Sequence, residues 1–269
     1  DTFKNIPENF SGILKASQPK QPLFYGRLLG GQWNSDGEFS ANHSYYDFQN
    51  VEDYWKDNKP SQSYYPFFNE LTNSIRIYPL SSPSELEIFV TPVLDDSTKL
   101  EEIFIDDLIS PSSKFIDKNL NSLFSDLEID LPRISSYIVT AKVKNGKKPG
   151  RISLQVVYGK GNLESSINMT LYNPGTFVGN KKSFKWGQTV TSSQLETFVG
   201  ITTAPVDDPD KTNFECNVKF YDETGNIAQR KWNIKAGTSK KFSVSEELEI
   251  TNKTEDPRYI WCVIEGDPG

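Results

Sequence analysis

Phe214-Glu215-Cys216-Asn217-Val218-Lys219-Phe220-Tyr221 is the stretch that decides the fold class of this chain. Apolar residues occupy every second position from Phe214 to Phe220, and polar residues fill the positions between them. Because successive side chains of a strand point to opposite faces, this stretch predicts a strand with one apolar and one polar face. Strands with one solvent-facing side are typical of antiparallel sheets.

Similar alternation recurs on both sides of this stretch, and turn residues separate the segments. The alternating segments are 151–158, 167–171 and 228–235, and the turns are 145–146, 173–175 and 222–226. Short strands at roughly 8–12-residue spacing suggest a sandwich. Residues 259–264 are apolar at every position, which predicts a buried central strand. We therefore predict a mainly β protein, with an antiparallel β-sandwich of Ig-like or jelly-roll-like type over residues 134–269.

The first half of the chain is less regular. Residues 74–78 and 85–90 are predicted strands, and apolar residues at helical spacing predict a helix over 112–127, capped by Ser112 or Ser113. Residues 103–109 fit a helix or a strand. Pro111 and Pro132 bracket the helical segment, so we place a domain boundary near residue 133. Residues 1–133 then form an aromatic-rich, irregular region with one or two short helices.

A faint internal repeat runs through the predicted sandwich. Residues 168–172 and 184–187 resemble residues 217–221 and 234–237, at offsets of 49 and 50 residues. A duplicated β unit explains this likeness, but any two hairpins of alternating strands look alike. The sequence leaves both explanations open.

Composition excludes several classes of partner. The net charge is −7 and the isoelectric point is near 5.0, so the phosphate backbone of nucleic acid is a poor partner. No apolar run approaches the roughly 20 residues that span a bilayer.

The mean hydropathy of −0.55 is low for a folded protein. Aromatic residues make up 13% of the chain, and because each buries a large area, they compensate for the shortage of aliphatic residues in a core.

Few residues are available for metal or nucleophile chemistry. The chain has one histidine, His43, and two cysteines, Cys216 and Cys262. These residues cannot easily supply the four ligands of a zinc site, and we predict no cofactor and no metal. The cysteines either form a disulfide that joins two sheets or remain as two buried thiols. The sequence does not decide between these alternatives.

The stretch from Trp33 to Phe68 is the strongest candidate for a binding site, because it holds 11 aromatic residues in 36. Polar residues lie between the rings, and flat rings among hydrogen-bonding groups suit a sugar or a protein surface. They equally suit a segment that anchors itself to a sheet with its own rings. The predicted ligand-binding residues are Trp33, Asn34, Asp36, Tyr45, Tyr46, Asp47, Tyr54, Trp55, Tyr64 and Tyr65.

Three functional hypotheses follow from these observations. The first is a non-catalytic recognition module, secreted or at the cell surface, that binds carbohydrate or a protein through residues 33–68. The second is a structural or assembly subunit of capsid, filament or adhesin type, in which the same rings form the interface of a homo-oligomer. The third is a glycan-active enzyme that depends on two carboxylates, and the sequence leans against an enzyme.

Overall fold

The computed structural model describes residues 29–33, 39–43, 59–77, 84–109, 116–149, 152–160, 163–171, 183–204 and 210–266. These residues form a mainly β protein with antiparallel sheets, as predicted. Two strands near the start of the chain pair as a hairpin, β1 (Leu29–Trp33) with β2 (Phe39–His43). No helix within the described residues is long and apolar enough to cross a membrane.

Two four-stranded sheets and one helix follow. The first sheet has the order β3 (Ser61–Pro66), β8 (Ile134–Asn145), β5 (Glu85–Leu94), β6 (Ile103–Ile109). The second has the order β10 (Leu163–Leu171), β9 (Ile152–Lys160), β4 (Thr72–Ile77), β7 (Ile116–Asn119). Helix α1 is Leu120–Asp126. Strands β8 and β9 belong to different sheets, and Gly146 lies between them with a φ of 82°.

One cluster of buried side chains joins these two sheets. Val139 comes from the first sheet and Ile75 and Val156 from the second, while Leu120 and Phe124 of α1 complete the cluster. The cluster extends from Tyr65 to Leu171, so the boundary proposed near residue 133 runs through it.

The second half of the described chain builds a separate core. Its sheet has the order β11 (Ser183–Thr191), β16 (Arg258–Gly266), β13 (Asn213–Asp222), β14 (Gly225–Lys235). A two-stranded sheet of β12 (Phe198–Thr202) and β15 (Ser239–Ser243) and the short helix α2 (Val244–Glu247) accompany it. Phe242 and Val244 pack with Val218, Phe220 and Ile260 of the four-stranded sheet.

The interface between the two halves contains a half-buried cation. The Lys241 ammonium donates to the carbonyls of Phe67 at 2.5 Å and of Ile134 at 3.3 Å. Burial lowers the pKa of Lys241, because the charged form is costly away from water. The backbone N–H of Ser239 also donates to the Ser135 hydroxyl, at 2.9 Å. The β12–β15 pair is thereby attached to β3 and to the beginning of β8.

Gly200 permits a close approach at the same interface. A Cβ atom at this position would lie 2.5 Å from Cγ of Pro66, well inside van der Waals contact. Beside it, the rings of Phe198 and Phe68 meet edge to face, with 6.2 Å between their centroids. The interface between the halves is therefore partly apolar and close-packed.

The helix prediction is partly wrong. Residues 116–119 form strand β7, which pairs with β4 from Ile77↔Ile116 to Ser74↔Asn119, and the helix begins only at Leu120. The Asn119 side chain accepts a hydrogen bond from the backbone N–H of Ser122 at 3.0 Å and caps the helix. Sheet pairing thus overrides helical periodicity in 116–119. Ser112 and Ser113 lie outside the described residues.

The internal repeat does not correspond to two equivalent units. Residues 168–171 lie in β10 and residues 184–187 in β11, which belong to different sheets. Residues 217–221 and 234–235 lie in β13 and β14, which form one hairpin. The likeness therefore reflects strand alternation shared by unrelated pairs of strands.

Of the two alternatives left open for the cysteines, the structure shows two buried thiols and no disulfide. Cys216 and Cys262 are both free and buried on the same face of adjacent strands, with Cys262 opposite Phe220. The four-residue offset between Cys216 and Phe220 corresponds to roughly 13 Å along the strand. A disulfide needs Cα atoms within about 7 Å, so this register excludes a bridge.

We expect both thiols to be unreactive in the folded protein. Burial raises the pKa of Cys216 to about 11 and that of Cys262 to about 11, so few thiolates form at neutral pH. A thiol-specific chromogenic reagent should label both cysteines only after denaturation, and a reducing agent should leave the unfolding temperature unchanged. A fall in the unfolding temperature on reduction would contradict the observed register.

The hairpin of β13 and β14 contains a strongly perturbed carboxylate. Gly225 has a φ of +117°, and the Asp222 carboxylate accepts hydrogen bonds from the Thr224 hydroxyl at 2.6 Å and from Arg258 at 2.8 Å. These bonds, with a third from the Thr224 backbone, lower the pKa of Asp222 to about 2.

Asp222→Asn is expected to destabilise the protein at neutral pH and much less in acid. The pKa of Asp222 in the folded protein is below the unfolded value of about 3.9, so the ionised carboxylate stabilises the fold. This stabilisation is present above the unfolded pKa and is lost as the pH falls toward 2. Urea unfolding at pH 6 and pH 3 measures the difference, with Glu223→Gln in the same loop as the control. A difference between the original chain and Asp222→Asn that does not change with pH would contradict this account.

Candidate functional site

Most of the predicted ligand-binding residues lie outside the described part of the chain. Trp33 ends β1, where its backbone pairs with Phe39, and its side chain is not described. The predicted residues that lie wholly outside the described ranges are Asn34, Asp36, Tyr45, Tyr46, Asp47, Tyr54 and Trp55. The predictions for these side chains therefore lie outside what the structure describes.

The described end of the aromatic stretch packs against the protein itself. Tyr65 is 2% exposed, and its ring lies 5.7 Å from that of Tyr137. Phe67 and Phe68 are also buried, in contact with the rings of Phe124 and Tyr158. Tyr65 consequently offers no ring face to a ligand, because alternation along β3 directs it into the core.

Tyr64 is half-buried and differs from its neighbour. Its hydroxyl accepts a hydrogen bond from the Lys99 ammonium at 3.2 Å, and that ammonium also lies 5.6 Å from the centre of the ring. Tyr64 is thus reachable by solvent but already has a cationic partner.

The most exposed rings lie instead on the four-stranded sheet of the second half. Trp186 is 65% exposed, the largest value among the large hydrophobic side chains of the described residues. Tyr259 is 54% exposed and Trp261 is 41% exposed. The two indoles contact each other, with 5.4 Å between ring centroids and 51° between their planes. We call the surface formed by Trp186, Tyr221, Tyr259 and Trp261 the aromatic face.

Strand register explains why these four rings share one surface. Trp186 of β11 is directly opposite Val263 of β16, so both side chains point to the same face of the sheet. Trp261 lies two residues before Val263 on that face and is therefore diagonal to Trp186. Trp261 is also directly opposite Tyr221 of β13. Tyr259 precedes Trp261 by two positions and so points the same way. The alternate residues of β16 face the core, where Ile260 and Cys262 are buried.

The prediction of a strand buried on both faces at 259–264 is therefore wrong. The strand is central in its sheet, between β11 and β13, but Tyr259 and Trp261 are exposed. The sequence carried one signal of this arrangement, since Lys219 and Tyr221 of the adjacent β13 lie on the polar side of the alternating stretch. Knowledge of the pairing between β13 and β16 is needed to use that signal.

Polar side chains continue the same surface beyond the rings. Gln188 lies opposite Trp261 and is exposed. The Lys219 ammonium and the Glu265 carboxylate form an ion pair at 3.3 Å beside the rings. Farther along, Lys231 pairs with Glu215 at 2.8 Å. The surface thus combines exposed rings with amides and with charges that are paired.

A wide cleft of about 1340 Å³ lies between the two halves, next to their interface. Tyr64, Phe68 and Tyr158 line one side, and Glu196 and Lys253 line the other. Acid–base chemistry in this cleft would depend on the carboxylates that line it, Glu196, Glu246 and Glu249.

Glu196 is held as a carboxylate in this cleft. It accepts hydrogen bonds from Lys253 at 2.5 Å, from the Ser245 backbone at 3.1 Å and from the Ser245 hydroxyl. Burial raises the pKa of Glu196, but the hydrogen bonds outweigh burial and lower it below its usual value. A carboxylate in this state does not donate a proton at neutral pH, so Glu196 does not fit the role of a general acid.

Metal coordination finds no support among the side chains that the structure places. No group of three or more His, Cys, Asp or Glu residues is arranged to hold a metal ion within the described ranges.

No protein-family model matches the chain, and no curated protein matches it. The chemistry of the surface itself therefore has to support any assignment of function.

Proposed function

We propose that this chain is a non-catalytic recognition module that binds carbohydrate through the aromatic face. One observation carries this proposal: two tryptophans in mutual contact remain exposed on the solvent side of a sheet whose other side is a packed core. Exposed aromatic surface of this kind marks an interaction site in a soluble protein. The sequence analysis proposed carbohydrate binding at residues 33–68. We keep carbohydrate as the ligand and place the proposed binding site on strands β11, β13 and β16 instead.

Rings and amides together suit a sugar. A pyranose ring presents C–H groups on its faces, which pack on an indole, and hydroxyl groups at its edge, which need both donors and acceptors. Gln188 lies beside Trp261 and offers both through its side-chain amide. The strands that carry the rings are held by continuous antiparallel pairing, so the surface is rigid before a ligand binds.

Two further inferences accompany this proposal. We infer that residues 61–171 form a β-sandwich, because two four-stranded antiparallel sheets contribute to one core. Secretion or display at the cell surface remains a prediction, and it agrees with a ligand found in cell walls and extracellular matrices.

A broad glycan array probed with the whole chain tests the proposal. We expect saturable binding to at least one class of glycan, without any change in the glycan's length. The absence of binding up to about 0.1 mM protein, far above the micromolar range of a useful site, would contradict the proposal. Self-association that disappears in Trp186→Ala would also contradict it, because the aromatic face would then be a subunit interface.

A further inference from the structure

We infer that the ligand of the aromatic face is an uncharged polysaccharide whose chain runs across the strands; this inference rests on the proposed function. Trp186, Trp261 and Tyr221 lie on three neighbouring strands, β11, β16 and β13. Two inter-strand spacings place the outer rings roughly 10 Å apart across the sheet. That line of rings matches an extended chain of sugars better than a single sugar.

The charges around the rings are compensated. Lys219 pairs with Glu265 at 3.3 Å, Lys231 with Glu215 at 2.8 Å and Arg258 with Asp222 at 2.8 Å. Among the residues that the structure describes, each cation close to the rings in register or in sequence thus already has a carboxylate partner, with one exception.

The exception, Lys185, is directed away from the rings. It precedes Trp186 and lies, by alternation along β11, on the opposite side of the sheet, where it lines the cleft between the two halves. The aromatic face consequently presents no unpaired cation from the described residues to an acidic ligand.

An acidic polysaccharide would meet a further obstacle. The whole chain carries a net charge of −7, so a polyanion is repelled as it approaches at low salt. It would also have to compete with Glu265 and Glu215 for their lysines. An uncharged polysaccharide is not repelled by the net charge and does not compete for the lysines. The amides of Gln188, Asn217 and Gln229 can donate hydrogen bonds to its hydroxyls and accept hydrogen bonds from them. Charge complementarity therefore favours a neutral polysaccharide.

The test is a titration of the whole chain, followed by tryptophan fluorescence, with neutral and acidic polymers. The neutral probes are dextran, xylan, galactomannan and mixed-linkage β-glucan, and the acidic probes are polygalacturonate, alginate and hyaluronan. Each is measured at about 20 mM and about 150 mM salt, where screening lengths differ severalfold. Parallel titrations of Trp186→Ala show whether a signal comes from the aromatic face.

We expect at least one neutral polymer to bind with an affinity that barely depends on salt. Every acidic polymer should bind at least tenfold more weakly at low salt. Glu265→Gln, which frees Lys219, should raise the affinity for acidic polymers severalfold at low salt, whereas Lys219→Gln should not. This pair of variants removes either member of one ion pair and leaves the rings in place.

Two other outcomes would overturn the inference, and they differ in what they say about function. If an acidic polymer binds as tightly as any neutral one and Trp186→Ala abolishes that binding, the ligand is charged but the aromatic face is still a carbohydrate site. If no polymer of either class binds at any salt concentration, the inference and the proposed function both fail.

Discussion

Replacing Trp186 by alanine is expected to weaken polysaccharide binding by roughly 30-fold, the effect of a central aromatic residue worth about 2 kcal/mol at a binding interface. Trp186 is the most exposed of the large hydrophobic side chains among the described residues, and Trp261 lies against it. Trp261→Ala should have an effect of similar size. Isothermal titration calorimetry with the best ligand from the glycan array measures both losses.

Phe104→Ala is the matched control for these variants. Phe104 is also an exposed aromatic residue, but it lies on β6 in the first half of the chain. Its removal should leave binding unchanged, and circular dichroism should show that all three variants are folded. Wild-type affinity in a folded variant that lacks both Trp186 and Trp261 would contradict the role of the aromatic face.

Tyr65→Ala is expected to lower the free energy of unfolding by about 3–5 kcal/mol, the usual cost of removing a large aromatic side chain from a core. Tyr65 is 2% exposed and packs on Tyr137, so its removal leaves a cavity between β3 and β8. Urea unfolding followed by fluorescence measures the loss.

The adjacent Tyr64→Ala is the control for this variant. Tyr64 is half-buried on the other side of β3, and its removal should cost roughly 1 kcal/mol, as is usual for positions outside the core. Wild-type stability in Tyr65→Ala, together with weaker ligand binding, would restore Tyr65 as a ligand-binding residue and would contradict the packing described here.

Local patterns predict seven of the sixteen strands that the structure describes. Strict alternation from Phe214 to Phe220 is sufficient for β13, and the alternating residues of 152–158 are sufficient for β9, because one buried face imposes a period of two. Residues 116–119 show the limit of such patterns. Ile116 fits a helical stripe as well as a strand, and only its pairing with Ile77 of β4 selects the strand.

The candidate site is harder to predict from sequence, for two physical reasons. First, Tyr259 and Trp261 are apolar residues on a strand whose other face is also apolar, so hydrophobic pattern alone predicts burial on both sides. Second, Trp186 and Trp261 are 75 residues apart and meet only through the pairing of β11 with β16. Density of aromatic residues favours residues 33–68, but density does not distinguish rings that anchor a segment from rings that face solvent.

The most direct test of the central claim is a nuclear magnetic resonance titration of the indole N–H groups. The chain has 5 tryptophans, Trp33, Trp55, Trp186, Trp232 and Trp261, so each indole gives one cross-peak that single substitutions can assign. On addition of the best neutral oligosaccharide, we expect the peaks of Trp186 and Trp261 to shift and that of Trp232, which packs against Phe242, to stay in place. Shifts of Trp33 and Trp55 with Trp186 and Trp261 unmoved would contradict the account and would place the site in residues 33–68.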